Sequence, residues 1–190
     1  MRTRRNLIKF GILSAVAATS SLAFLRLYQK KYKVREILHY PAPLLRNKSD
    51  PVEIIDKNTI VLSQEMLATL KYRNLIDFFT KATLHKGISA PQVGVSKRLC
   101  ICIIEGRFHV LINPEIIDKQ GNFHSMENCM SLPEHGSLYI TRSNYIKVKY
   151  KSLENNEMIL ELRNKNTALV EHEIDHLNGI LYIDHHSFSC

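Results

Sequence analysis

The first thirty-five residues contain no acidic side chain, although the 190-residue chain holds 18 Asp and Glu. Nine of its 26 Lys and Arg fall in that stretch, leaving 17 basic against 18 acidic residues, a formal −1, for positions 36–190. The net charge of +8 therefore belongs to a leader, and the remainder lacks the electrostatic footprint of a nucleic-acid binder. Cysteines are too few and too poorly placed for a disulfide framework. Of the four, Cys100 and Cys102 alternate onto one face of a single strand, where packing is their expected role, and Cys190 is the last residue. No internal repeat and no low-complexity linker divides positions 34–190, and their length suits one domain with one hydrophobic core.

Residues 1–33 read as a leader separate from the fold. Thr3-Arg4-Arg5-Asn6-Leu7-Ile8-Lys9 precedes sixteen uncharged residues, Phe10 to Leu25, and then come Arg26, Lys30, Lys31 and Lys33. This is the layout of a signal segment or a single membrane anchor, and the arginine pair is similar to a twin-arginine export signal. The apolar run is short against the roughly 20 residues of a membrane span, a gap that snorkelling flanks can close. Ala15-Val16-Ala17 and Ser21-Leu22-Ala23 offer small-residue cleavage sites, while the lack of acids fits an organelle transit peptide as well. Three settings stay open, cytoplasm-facing with membrane association through residues 7–28, exported, or organelle-targeted, beside a fourth reading in which the leader is an uncleaved basic extension. Export would expose Cys129 to oxidants, against which a bound metal protects.

What the chain does carry is an HExxH motif, His172-Glu173-Ile174-Asp175-His176. Two histidines four apart lie on one helix face and can grip a metal, with the intervening glutamate aimed at the water opposite. The pattern also arises by chance, and histidines on a polar helix face are its plainer reading, so the third ligand decides. A third histidine of the metzincin kind would stand at position 182, which is Tyr182, and no Glu follows Glu173 in the last seventeen residues. Asp184, His185 and His186 read as surface polar residues. The ligand must then lie upstream, where Glu127-Asn128-Cys129-Met130-Ser131 places a cysteine next to a turn. A thiolate there completes a Cys/His/His set with one position open to water. Further upstream, Gly87-Ile88-Ser89-Ala90-Pro91-Gln92-Val93-Gly94 is a loop in which Gly and Pro let the backbone run close to a ligand.

These three segments, in this order, resemble the signature boxes of the peptide deformylases: a Gly-rich loop ending in Ala-x-Gln, a Glu-Gly-Cys-x-Ser loop and the HExxH helix. Ile37 to Arg46 is similar to the segment that opens those enzymes, Ile112-Asn113-Pro114-Glu115-Ile116 matches a strand end, and the resemblance covers residues 34 to 186. It implies an α+β fold with antiparallel β-strands around a central HExxH metal-binding helix. It also implies hydrolysis of the N-formyl group from N-formylmethionyl peptides or nascent chains, with release of formate, by a monomer that does not bind nucleic acid. Cys129, His172 and His176 would hold one divalent metal, Fe(II) by resemblance, with Zn(II) or Ni(II) also suited to the donors. Glu173 would be the general base, the Gln92 amide and the Met130 N–H the oxyanion donors, and Gly87 and Ile88 the substrate contacts. The methionine side chain is expected near Ile88 and the motif helix. Glu127 is expected to orient the cysteine loop through Arg142.

Several positions depart from the pattern. Asn128 replaces the glycine of the cysteine box, for which Asn's tolerance of left-handed backbone is the expected remedy. His85 stands where the loop has its first glycine, and Ser89 replaces an alanine. The segment Glu134 to Leu138 carries one extra residue and lacks an arginine often found beside the substrate. A metallohydrolase of another amide or acyl substrate, or a silent binding protein, are the alternatives; Glu173 argues against the second, since a binder needs no base. His85, His124 and His135 fit no ligand spacing and read as surface residues. Periodicity predicts one or two helices over 58–83 and strands over 97–104, 107–113, 145–151 and 157–163. The helical stretch exceeds the helix that the resemblance implies before the glycine loop, which implies an insertion near Lys71 to Asp77. The sequence further predicts a hairpin turn at 154–157 and a motif helix over 166–177 stopped by Asn178-Gly179.

Overall fold

The structure is a computed structural model that describes residues 25–80 and 82–185. The arginine pair, both cleavage sites, most of the 7–28 segment, His186 and Cys190 lie outside the described residues. Among the described residues no helix is long and apolar enough to cross a membrane.

Five strands, β1 (Gly87–Ser89), β2 (Leu99–Ile104), β3 (Arg107–Glu127), β4 (Leu138–Lys151) and β5 (Glu157–Arg163), form one antiparallel sheet in the order of the chain. Its hairpins follow from residues that accept positive φ. Glu105 and Gly106, at φ 51 and 77, make the two-residue turn between β2 and β3, the geometry that matches strand twist. Asn155, at φ 64, turns β4 into β5, with Ser152 N–H donating to the Asn156 carbonyl at 2.9 Å.

Strands β3 and β4 run far beyond the predicted 107–113 and 145–151. Pro114 reads as a stop because it cannot donate to a ladder. Register shifts between Ile112 and Glu115 and between Ile116 and Asp118 absorb it, so the presumed strand end is a bulge and the strand continues. Asn113, at φ 50, supports the bulge by exchanging hydrogen bonds of 2.8 and 2.9 Å with the Val52 main chain. Beyond it most β3 residues are half-buried or exposed, so no apolar alternation marks them.

Helix α1 (Lys57–Thr80) passes unbroken through Lys71 to Asp77 and stops short of residue 83, and helix α2 (Lys165–Leu177) carries the motif. They cover opposite faces of the sheet. Leu99 and Ile101 of β2 pack with Leu62, Met66 and Leu70 of α1. The alternate residues Cys100 and Cys102 pack with Val170, Ile174 and Leu177 of α2. A strand buried on both faces drives both contacts, each large apolar side chain contributing about 1.5–3 kcal/mol. A third cluster, Leu45, Cys129, Leu132, Ile140, Leu181 and Tyr182, lies under the cysteine loop. The Tyr182 hydroxyl donates to the Gly136 carbonyl at 2.6 Å and ties the end of the chain to that loop.

Candidate active site

Helix α2 presents His172 and His176 one turn apart, with ring centroids 5.0 Å from each other. Its C-terminal stop is Gly179, at φ 74, where a Cβ would lie 2.4 Å from the Arg46 carbonyl oxygen; only glycine fits both the conformation and the space. Cys129 lies just beyond β3, in a turn closed by the Leu132 N–H donating to its carbonyl at 3.1 Å. Its Sγ is 3.2 Å from His176 Nε2, and the ligand atoms of Cys129, His172 and His176 all fall within 4.8 Å of one another.

Electrostatics prepare this trio as a ligand set. Burial pushes the Cys129 thiol up, but the charge of His176 and hydrogen bonds from both histidines outweigh it and hold the thiol well below its ordinary range. Burial alone would lower His172; hydrogen bonds to Cys129 and Glu127 instead hold it well above the usual imidazole range. A thiol held low gives up its proton readily, and the thiolate is the form that binds metal. One thiolate and two imidazoles are the donors of a catalytic zinc or iron(II) type site. The buried His176 Nδ1 and Glu173 Oε2 have no hydrogen-bond partner among the described residues, a further sign that the centre takes a group from outside the chain.

Glu127 and Arg142 do meet, in a buried bidentate pair with Nε–Oε1 at 2.8 Å and Nη2–Oε2 at 2.9 Å. Glu127 does more than orient the cysteine loop, because its Oε2 also lies 2.9 Å from His172 Nδ1. A carboxylate on the far nitrogen fixes the tautomer and leaves Nε2 for the metal. Arg142 continues to Asp175 at 2.6 Å, and Asp175 to His185 Nε2 at 2.8 Å. Sequence reasoning missed Asp175, while His185, read as a surface residue, is exposed and meets Asp175 from there. An acid between two ligand histidines, on a helix half-buried by its motif, was the available signal for a buried cation.

Gln92 sits in a capping box: its Oε1 accepts from the Ser89 N–H at 2.9 Å and the Ser89 Oγ at 3.1 Å. With its oxygen fixed, Nε2 points to Cys129 Sγ at 3.4 Å and Ser131 Oγ at 3.3 Å. The serine that departs from the family alanine thus adds a bond to the donor amide. Glu173 is 3% exposed, and burial raises its carboxyl above the usual range despite the nearby histidines. A Cβ on Gly87 would sit 2.2 Å from Glu173 Oε1, so a glycine there is a requirement of close approach.

A cavity of about 700 Å³ joins Gly87, Gln92, Cys129, Met130, His172 and Glu173, a size usual for a small-ligand site. Phe123, Met126, Ala168 and Leu169 give it an apolar wall. Three expectations need correction. The Ile88 side chain is fully buried in the core against α1 and does not line the cavity, and its main chain pairs with Ile101 of β2, so Gly87 is left as the contact that β1 offers to the cavity. Asn128 is not among the residues with positive φ, so the site makes no use of Asn's left-handed tolerance. His85 is half-buried and lines the cavity, whereas His124, at the rim, and His135 are exposed.

Residues 34–189 match the sequence profile of the polypeptide deformylase family. Peptide deformylase 1 of Clostridium acetobutylicum is 35% identical over 151 residues, 80% of this chain and 93% of its own. The peptide deformylase of Nitrosococcus oceani is 37% identical over 157 residues, covering 81% and 87%. Among solved structures, the peptide deformylase of Thermotoga maritima matches with a TM-score of 0.71 and 32% identity over 81% of this chain and 98% of its own. That of Legionella pneumophila matches at 0.71 and 30% over 82% and 87%. The chain belongs to the polypeptide deformylase family, metal-dependent hydrolases that remove the N-formyl group from N-terminal methionine.

Proposed function

We propose that Cys129, His172 and His176 hold the catalytic ion, Fe(II) in the cell, and that Glu173, Gln92 and Met130 carry the deformylation step around it. The observation that carries this reading is the convergence of a thiolate, two imidazoles and a buried, unpartnered carboxylate on one cavity. When bound, the ion supplies Lewis-acid chemistry to water and to the formyl oxygen. Glu173 takes the proton of the attacking water and returns it to the departing amine, a transfer for which its Oε2 is kept free of protein partners. The Gln92 amide, its oxygen held by Ser89, donates to the developing oxyanion, and the Met130 N–H is the second donor.

Substrate placement follows from the sheet. Strand β1 is an edge strand, with β2 on one side only. Gly87, whose main chain faces away from β2, can therefore pair with an extended peptide. The formylmethionine side chain then lies against Phe123, Met126, Ala168 and Leu169, an apolar wall suited to a thioether. A peptide deformylase of Acinetobacter baumannii, 27% identical with a TM-score of 0.70, has been solved with Met-Ala-Ser bound, the peptide that deformylation of formyl-Met-Ala-Ser leaves behind.

The test is formate release from N-formyl-Met-Ala-Ser by the full chain, purified without oxygen and loaded separately with Fe(II), Ni(II) and Zn(II). Turnover is expected with Fe(II) and Ni(II), together with loss of both activity and bound metal in Cys129→Ala. A metal-loaded wild-type protein that releases no formate would overturn the reading.

A further inference from the structure

Three observations converge on His85. First, Asn74 of α1 grips its main chain from both sides: Asn74 Nδ2 donates to the His85 carbonyl and the His85 N–H donates to Asn74 Oδ1, each at 2.7 Å. Asn74 belongs to the Lys71 to Asp77 stretch of α1, so the last turns of that helix carry the clamp. Second, Asp77, one turn on and 3% exposed, directs Oδ2 at His85 Nε2 across 3.8 Å. That oxygen has no hydrogen-bond partner among the described residues, while Oδ1 lies 3.4 Å from Arg73 Nε. A carboxylate buried in this state is expensive, and the imidazole is the group it faces. Third, His85 lines the same cavity as Cys129, His172 and Glu173, two residues before the glycine that packs on Glu173. A loop that only had to close the cavity would need neither the clamp nor the buried acid behind an imidazole.

The direction of the groove says what the imidazole meets. A peptide paired with β1 and carrying its formyl group beside Glu173 cannot extend along Ser89 and Ala90, which are fully buried. It can leave only past residues 84–86, which are exposed or half-buried. Two residues of extended chain, roughly 6–7 Å, bring it from Gly87 to His85. We infer that His85 is a substrate-positioning residue: clamped at its main chain by Asn74 and backed by Asp77, its imidazole hydrogen-bonds the main chain of the formyl peptide just beyond formylmethionine. This rests on the deformylase reading above. The position that the family pattern gives to glycine becomes a determinant of affinity for peptides over the free formyl amino acid.

The experiment compares KM and kcat for N-formylmethionine and N-formyl-Met-Ala-Ser in the full-length, metal-loaded protein and its variants. In His85→Ala, KM for the tripeptide is expected to rise about five- to tenfold, the loss of one hydrogen bond, with kcat within about twofold. KM for N-formylmethionine should not move. His85→Asn, which keeps a hydrogen-bonding side chain, should recover part of the loss, and Asn74→Ala should shift KM in the same direction as His85→Ala. A tripeptide KM equal to wild type, a rise shared by N-formylmethionine, or a fall in kcat alone would each overturn the assignment. Wild-type turnover accompanying any of these leaves the deformylase reading standing, whereas wild-type silence removes both.

Discussion

On α1 the buried hydroxyls donate within a single turn: Thr59 Oγ1 to Asp56 Oδ1 at 3.1 Å, Ser63 Oγ to the Ile60 carbonyl at 2.8 Å, and Thr69 Oγ1 to the Glu65 carbonyl at 2.7 Å. On α2 the polar residues bond across the fold, Glu171 to Ser143, His172 to Glu127, Asp175 to Arg142 and His176 to Cys129, over separations of 28 to 47 residues. The hydroxyls of the first helix donate to groups within one turn and could do so before the sheet exists. The second has a polar face that only the finished sheet completes, so on α2 ligand geometry and tertiary stability are the same set of contacts. Each helix leaves one buried acid incompletely bonded, Glu173 on α2 and Asp77 on α1, and both stand behind the cavity.

The largest effect should come from the unpartnered acid of α2. Glu173→Gln preserves the volume that packs on Gly87 but cannot take a proton, so formate release should fall by about 10²–10⁴-fold. Bound metal, measured by atomic spectroscopy, should stay the same. If the variant kept wild-type turnover, Glu173 would be packing and not chemistry. Next comes the cross-fold network. Arg142→Met leaves Glu127 and Asp175 buried without their cation, and urea unfolding should show a loss of about 3–5 kcal/mol. Adding Glu127→Gln should restore part of it. An Arg142 variant as stable as wild type would mean that α2 does not depend on its distant partners, which would break the contrast with α1.

That contrast also explains what could be read from the chain. The motif helix, its Gly179 stop, the Asn155 turn and the histidine pair were legible because each rests on neighbours in sequence or on a spacing that only one helix face can satisfy, whereas Cys129, 47 positions from His176, was legible only through the resemblance of its own box. Beyond Pro114, β3 was not, since a bulge is a tertiary remedy for a residue that locally reads as a stop. Ile88 pointed the wrong way for a similar reason: β1 is three residues long, and alternation over so short a run does not say which face meets the ligand. The Asp175 link to Arg142 and the Asn74 clamp on His85 join residues 33 and 11 positions apart; the acid between the histidines signals a buried cation without saying which, and nothing local announces the clamp. Ser89 looked like a mere departure until the structure showed its hydroxyl holding the Gln92 oxygen.

The smallest predicted effect tests the other half of the comparison. Ser63 is 4% exposed, yet its hydroxyl serves only the Ile60 carbonyl one turn back, a carbonyl that lies within the helix. Ser63→Ala removes a donor together with its own need for a partner, leaves no distant group unpaired, and replaces a middling helix former with the best one. The change in unfolding free energy should stay within about 0.5 kcal/mol of zero, a range usual for substitutions that break no network. A loss above about 2 kcal/mol in urea unfolding would show that the hydroxyls of α1 depend on the rest of the fold as the side chains of α2 do. The division between a locally satisfied helix and a helix completed by the sheet would then fail.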